Sequence, residues 1–186
     1  MEIILAENHG FCYGVKRAVE MANEAADSDG KSYTLGPIIH NPQVVGRLES
    51  KGVSPIQEVS DIDEGTMIIR SHGVGPAIYE EAEEKGLNIL DATCPHVKKA
   101  QQDAKSVIED GMTLVILGEK NHPEVKSINL WANNKGIIIE DEESAQKLQI
   151  VEKMGVVVQT TFSQFKFNSI IEILEKKSKN LKIFKT

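Results

Sequence analysis

The chain has 186 residues, 28 acidic and 21 basic side chains, and a formal net charge of −7 with histidine neutral. That length makes one domain or two small ones and buries a core without disulfide staples; the acidic balance argues against a general nucleic-acid or anionic-membrane binder, which needs a basic field. No apolar run approaches the ~18 residues of a bilayer span, and the first residues lack the basic and long apolar regions of a signal peptide, so a cytoplasmic protein is expected.

In chain order, Ile3 to Ala6 reads as a strand. Tyr13 to Ala26 reads as a helix with Val15, Ala18, Val19, Ala22 and Ala25 on one face. Ser32 to Leu35 is a short strand, and Asn41 is a helix cap with Pro42 in the first turn. Thr66 to Ile69 is a strand, Pro76 to Lys85 a helix stopped by Gly86, and Asn88 to Leu90 a strand. Pro95 to Glu109 is a helix. Strands follow at Thr113 to Leu117, Gly136 to Ile139 and Gly155 to Val158, and Glu124 sits early in another helix. Phe162 to Lys177 is a helix and Leu181 to Phe184 a last strand. Strands alternating with helices imply parallel sheets and an α/β fold.

The sequence also repeats. Shifted by 82 residues, Cys12 to Leu48 matches Cys94 to Leu130 at nine of 37 ungapped positions, where ordinary composition would give roughly two. The matches include Cys12 with Cys94, Leu35-Gly36 with Leu117-Gly118, and His40 with His122. Further on, Ile69-Arg70-Ser71-His72 aligns with Val158-Gln159-Thr160-Thr161. Two α/β units are therefore expected, residues 1–93 and 94–186. Extrapolated once more, a third cysteine would fall at about position 188, so the sequence reads as cut just before a third unit.

Two cysteines in a reducing compartment are poor candidates for a disulfide. Inert core thiols, a nucleophile and metal ligands remain open for each. Both stand where a loop hands over to a helix, a setting that favours the thiolate, the form that binds metal. Their equivalence in the repeat favours a shared metal or cluster site, assembled by tertiary structure because no C-x-x-C or H-E-x-x-H pattern is present. His40, His72 and His122 each follow a strand, the usual ligand edge of α/β proteins. Surface imidazoles are one reading of them; a shared pocket for a phosphate or diphosphate, with helix N-terminal amides, is the other. Glu124 either complements its helix dipole or delivers protons to substrate. Thr160 and Thr161 end a strand and offer hydroxyls. His9 and His96 lack this context, and Trp131 reads as packing.

These residues resemble the 4-hydroxy-3-methylbut-2-enyl diphosphate reductase family, also called IspH or LytB. The matching segments are G-F-C-Y-G-V at Gly10–Val15, I-H-N-P at Ile39–Pro42 and S-H-G-V at Ser71–Val74. D-A-T-C-P at Asp91–Pro95, G-E-K-N-H-P-E-V at Gly118–Val125 and Q-T-T at Gln159–Thr161 complete the set. The resemblance implies the first two of three pseudo-threefold α/β units around a 4Fe-4S cluster held by three cysteines, with Cys12 and Cys94 as the first two. It implies that His40, His72 and His122 bind an allylic diphosphate, that Glu124 relays protons, and that Thr160, with Thr161 as a weaker candidate, contacts the substrate near its hydroxyl. The implied reaction is reductive dehydroxylation to isopentenyl and dimethylallyl diphosphates, with electrons from a ferredoxin- or flavodoxin-like donor. The family's third cysteine and closing unit have no counterpart here, so a chain not fully competent alone is expected. The competing readings are a non-redox module holding zinc or an anion with Cys12, Cys94 and a histidine, and an interaction fragment that self-associates.

Overall fold

The computed structural model describes residues 3–4, 6–7, 9–28 and 30–184. Its first half runs α1 (Tyr13–Ala26), β1 (Ser32–Leu35), α2 (Pro42–Ser50), β2 (Val53–Ile56), a 3-10 turn (Val59–Asp61), β3 (Thr66–Ile69), α3 (Pro76–Glu84) and β4 (Asn88–Asp91). The second runs α4 (Pro95–Glu109), β5 (Thr113–Leu117), α5 (Pro123–Trp131), β6 (Ile137–Ile139), α6 (Glu142–Lys147), β7 (Val151–Val158), α7 (Gln164–Glu175) and β8 (Ser178–Phe184). Each half builds one four-stranded sheet, ordered β2-β1-β3-β4 and β6-β5-β7-β8. All neighbours are parallel. The α/β class and the duplication are thus explicit: the second sheet repeats the first strand for strand.

Helices cover both faces of each sheet, so central strands are apolar throughout and alternate residues serve opposite cores. In β3, Ile68 joins the cluster with Ala18, Ala22 and Ala25 of α1, while Met67 and Ile69 join the cluster under α3. In β5, Leu114 and Ile116 pack with Ala100, Ala104 and Val107 of α4, while Val115 and Leu117 face Ile170 and Leu174 of α7. Ala18 and Ala22 of α1 recur as Ala100 and Ala104 of α4.

The structure differs from the sequence expectation at a few elements. Ile3, Ile4 and Ala6 belong to no strand, and Leu5 lies outside the described residues. Ile3 and Ile4 are 73% and 84% exposed: an apolar run forms a strand only where a neighbour pairs with it. β2 carries Pro55 and still pairs with β1, as an edge strand tolerates a proline whose missing N–H faces away from the ladder. β7 begins at Val151, earlier than its apolar run, because its polar start is paired by β8.

The two halves touch through side chains. Trp131 Nε1 of α5 donates to Val74 O at 2.8 Å, Ser127 Oγ donates to the same carbonyl at 3.2 Å, and the Tyr79 and Trp131 rings meet edge on. Trp131 is a packing residue, and also a hydrogen-bonding one. Among the described residues, no helix is long and apolar enough to cross a membrane.

Candidate functional site

Parallel strands deliver all their following loops to one edge, and the singled-out residues other than Cys12 follow β1, β3, β4, β5 and β7 there. His40 follows β1 and is exposed. Its neighbour Asn41 caps α2, its side chain accepting from the Gln43 and Val44 amides at 3.1 Å each, which leaves the imidazole unengaged by the helix. His72 follows β3 and is half-buried. His122 is itself the cap of α5: its Nδ1 accepts from the Glu124 amide at 3.2 Å. The three rings converge, with centroids 4.5 Å apart for His40 and His72, 5.4 Å for His72 and His122, and 6.0 Å for His40 and His122.

Burial, aided by the charges of His40, Arg70 and His122, pulls His72 down to about 4, so its ring is neutral at pH 7. Its Nδ1 is buried with no hydrogen-bond partner among the described residues. Glu124 is only 2% exposed. The Thr160 amide donates to its Oε1 at 2.6 Å and the Thr160 hydroxyl to its Oε2 at 2.8 Å. Burial pushes the Glu124 carboxyl up, and the two Thr160 donors pull it partly back.

The thiols stand at two other helix starts. Cys12 is the N-cap of α1 and Cys94 the N-cap of α4; neither side chain makes a capping bond, and both are free. The Cys94 amide donates to Ser71 O at 3.0 Å, which ties that cysteine to the residue before His72. Its sulfur lies against Gly14, two residues after Cys12, where a Cβ would overlap Cys94 Sγ. One cavity of about 330 Å³ is lined by Cys12 and Cys94, by His40, His72 and His122, and by Glu124, Thr160 and Thr161. The structure therefore brings every singled-out residue to one place. Thr161 differs from Thr160 in its partner: its hydroxyl accepts from Gln159 Nε2 at 2.9 Å.

Two kinds of ligand suit three imidazoles. Each offers a nitrogen, and these lie within 4.8 Å of one another; among the described residues no other set of three ligating side chains does so, and neither thiol belongs to this one. A three-histidine metal centre needs a bare lone pair from each ring. The His122 Nδ1 lone pair is taken by the Glu124 amide, so the neutral ring carries its proton on Nε2. That ring presents a donor, which suits an oxyanion. The thiols, free and lining the same cavity, fit as two of the ligands an iron–sulfur cluster requires.

Two residues of the site had weaker sequence signals. Gly14 is legible only as the glycine in G-F-C-Y-G-V; its role as the space for the second sulfur needs the fold. Gln159, 4% exposed, accepts from the Glu119 amide at 2.9 Å and holds Thr161, so Q-T-T works as one hydrogen-bonded turn.

Comparison with known proteins adds a second line. The family model described as LytB protein matches residues 3–186. A 4-hydroxy-3-methylbut-2-enyl diphosphate reductase of Geotalea uraniireducens (strain Rf4) is 47% identical over 186 residues, all of this chain and 66% of that relative. One of Geobacter metallireducens is likewise 47% identical over the same span. A solved structure of (E)-4-hydroxy-3-methyl-but-2-enyl diphosphate reductase, described as the terminal enzyme of the non-mevalonate pathway, superposes with TM-score 0.87 at 43% identity, covering 98% of this chain and 66% of that one. The Plasmodium falciparum reductase superposes with TM-score 0.90 at 31% identity, covering 96% of this chain and 57% of its own. The chain spans about two thirds of the length of the curated relatives it matches.

Proposed function

This chain belongs to the LytB protein family, and from that premise we propose that it carries the diphosphate-binding and proton-delivering part of a 4-hydroxy-3-methylbut-2-enyl diphosphate reductase. The observation that carries this is the convergence of three imidazoles, a buried carboxyl group and two free thiols on one cavity from two repeated units, residues 1–93 and 94–186. His40, His72 and His122 bind the diphosphate, with the His122 Nε2–H as a donor fixed by its own helix cap. Cys12 and Cys94 would hold two positions of a 4Fe-4S cluster, with Gly14 leaving room for the second. When bound, that cluster supplies electrons and a Lewis-acidic iron.

The reaction is reductive dehydroxylation. An allylic C–O bond breaks, two electrons and two protons enter, and water leaves with isopentenyl or dimethylallyl diphosphate as product. A ferredoxin- or flavodoxin-like protein supplies the electrons. Glu124 is placed to hold and deliver a proton, because its desolvation favours the protonated form and the Thr160 hydroxyl orients it. Thr160, already bonded to Glu124, meets the substrate hydroxyl end, with Thr161 beside it.

The test is a titration with 4-hydroxy-3-methylbut-2-enyl diphosphate and with the same alcohol lacking the diphosphate, after anaerobic treatment with iron and sulfide. The proposal expects binding of the diphosphate only, and iron with acid-labile sulfide retained in proportion to Cys12 and Cys94. Equal binding of both alcohols, or zinc without sulfide at the thiols, would contradict it.

A further inference from the structure

A second cavity, of about 380 Å³, opens between the two units and shares no lining residue with the imidazole cavity. Its charged lining is Arg70 from the end of β3 and Lys126 from α5, joined by the amides of Gln57 and Asn121; among the described residues no carboxylate lines it. In a chain with 28 acidic residues this is a local reversal of sign. Neither Arg70 nor Lys126 takes part in an ion pair among the described residues. Among the described residues, Arg70 Nε is buried without a hydrogen-bond partner. A half-buried guanidinium without a counter-charge costs stability that a scaffold has no reason to give up.

The duplication shows what the scaffold alone requires at this place. Arg70 aligns with Gln159, and Gly36 with Gly118. In each unit the side chain tucks under its glycine: a Cβ on Gly36 would stand 2.8 Å from Arg70 Nη1, and one on Gly118 2.8 Å from Gln159 Oε1. Gln159 is neutral and fully engaged, by the Glu119 amide and by Thr161. Packing under the glycine turn is thus met by an uncharged amide. The guanidinium at the first unit's copy adds a charge and a fork of donors that the fold leaves unused.

We propose that this cavity is a second anion site, in which Arg70 and Lys126 clamp a phosphate-class oxyanion between the two units, separate from the histidine cluster. Such an anion supplies the counter-charge absent there among the described residues, and two of its oxygens suit the guanidinium fork.

Inorganic phosphate is the probe, followed by phosphorus NMR and calorimetry on the 186-residue chain. Because the imidazole cavity also attracts phosphate, the site is read in H40A/H122A, which is expected to retain one bound phosphate per chain. Adding R70Q to that background is expected to weaken this phosphate by about tenfold or more, and K126Q by about threefold or more, as charge-assisted contacts are removed. R70Q is expected to melt no lower than its parent in phosphate-free buffer, since an unpaired buried charge is gone. A phosphate monoester competing for the same site would identify phosphorylated metabolites as its ligands; failure to compete would restrict it to the free ion. Loss of all phosphate binding in H40A/H122A would overturn the proposal, as would undiminished binding in both R70Q and K126Q. If R70Q does not fold, K126Q on the exposed helix face decides. Failure here leaves the histidine cluster untouched, which is judged by its own variants.

Discussion

The two units share a strand order and differ in what they do with the start of their second helix. In the first, Asn41 caps α2 with two accepted amides and His40 stands one residue earlier, free of the helix. In the second, α5 begins one residue sooner in the repeat: His122, the equivalent of His40, is the cap, and Glu124 stands where the first unit has Pro42. One residue of slippage thus gives two imidazoles of different character and adds a buried carboxyl group. Duplication supplied two similar edges, and the offset made them chemically complementary.

The largest effect that would sharpen this comparison lies in the cores. Gly155 of β7 packs under Val107 of α4, with no room for a Cβ; the equivalent pair in the first unit is Thr66 and Ala25. Gly155→Thr is expected to destabilise by about 3 kcal/mol, the upper end for overpacking. Adding Val107→Ala, the first unit's own combination, should recover more than half in denaturant unfolding. Additive losses would show that the two units do not share a packing scheme.

Next is the acid limb of stability. His72 falls to about 4 in the folded chain, below its ordinary value of 6.5. Above 6.5 both states hold a neutral ring and the stability is fully present. As pH falls through this window the unfolded chain takes up a proton that the folded chain refuses, so stability is lost. The loss is about 2 kcal/mol after allowance for partial exposure. H72Q should flatten that limb; an unchanged pH profile would mean that His72 is not held neutral.

The smallest effect concerns the caps. Asn41→Ala should cost about 1 kcal/mol, and His122→Ala about half of that, since Asn41 serves two amides and His122 one. Equal costs would erase the distinction drawn between the two helix starts.

Much of this was legible in the sequence because the signals were periodic or paired. The spans of α1, β1, β3, α4 and β5 follow from apolar spacing, cap residues and glycine stops. The repeat marked Cys12 with Cys94 and His40 with His122. β2 was hidden by Pro55, which reads as a breaker until one sees that its strand is an edge. The Ile3–Ala6 segment looked like a strand because its apolar residues are contiguous, but composition carries no information about a pairing partner. Gly14, Arg70 and Gln159 take their meaning from tertiary neighbours alone: a sulfur packed against a glycine, and two equivalent side chains under equivalent glycines, one satisfied and one not.

The central claim is that the histidines of both units together make a diphosphate site. Calorimetric titration of inorganic pyrophosphate tests it most directly, on the R70Q chain so that the second cavity contributes least. The account predicts one pyrophosphate per chain, bound about tenfold or more weakly when His122 is replaced by alanine, and unaffected by replacing His9. Binding that survives the combined loss of His40, His72 and His122 would contradict it.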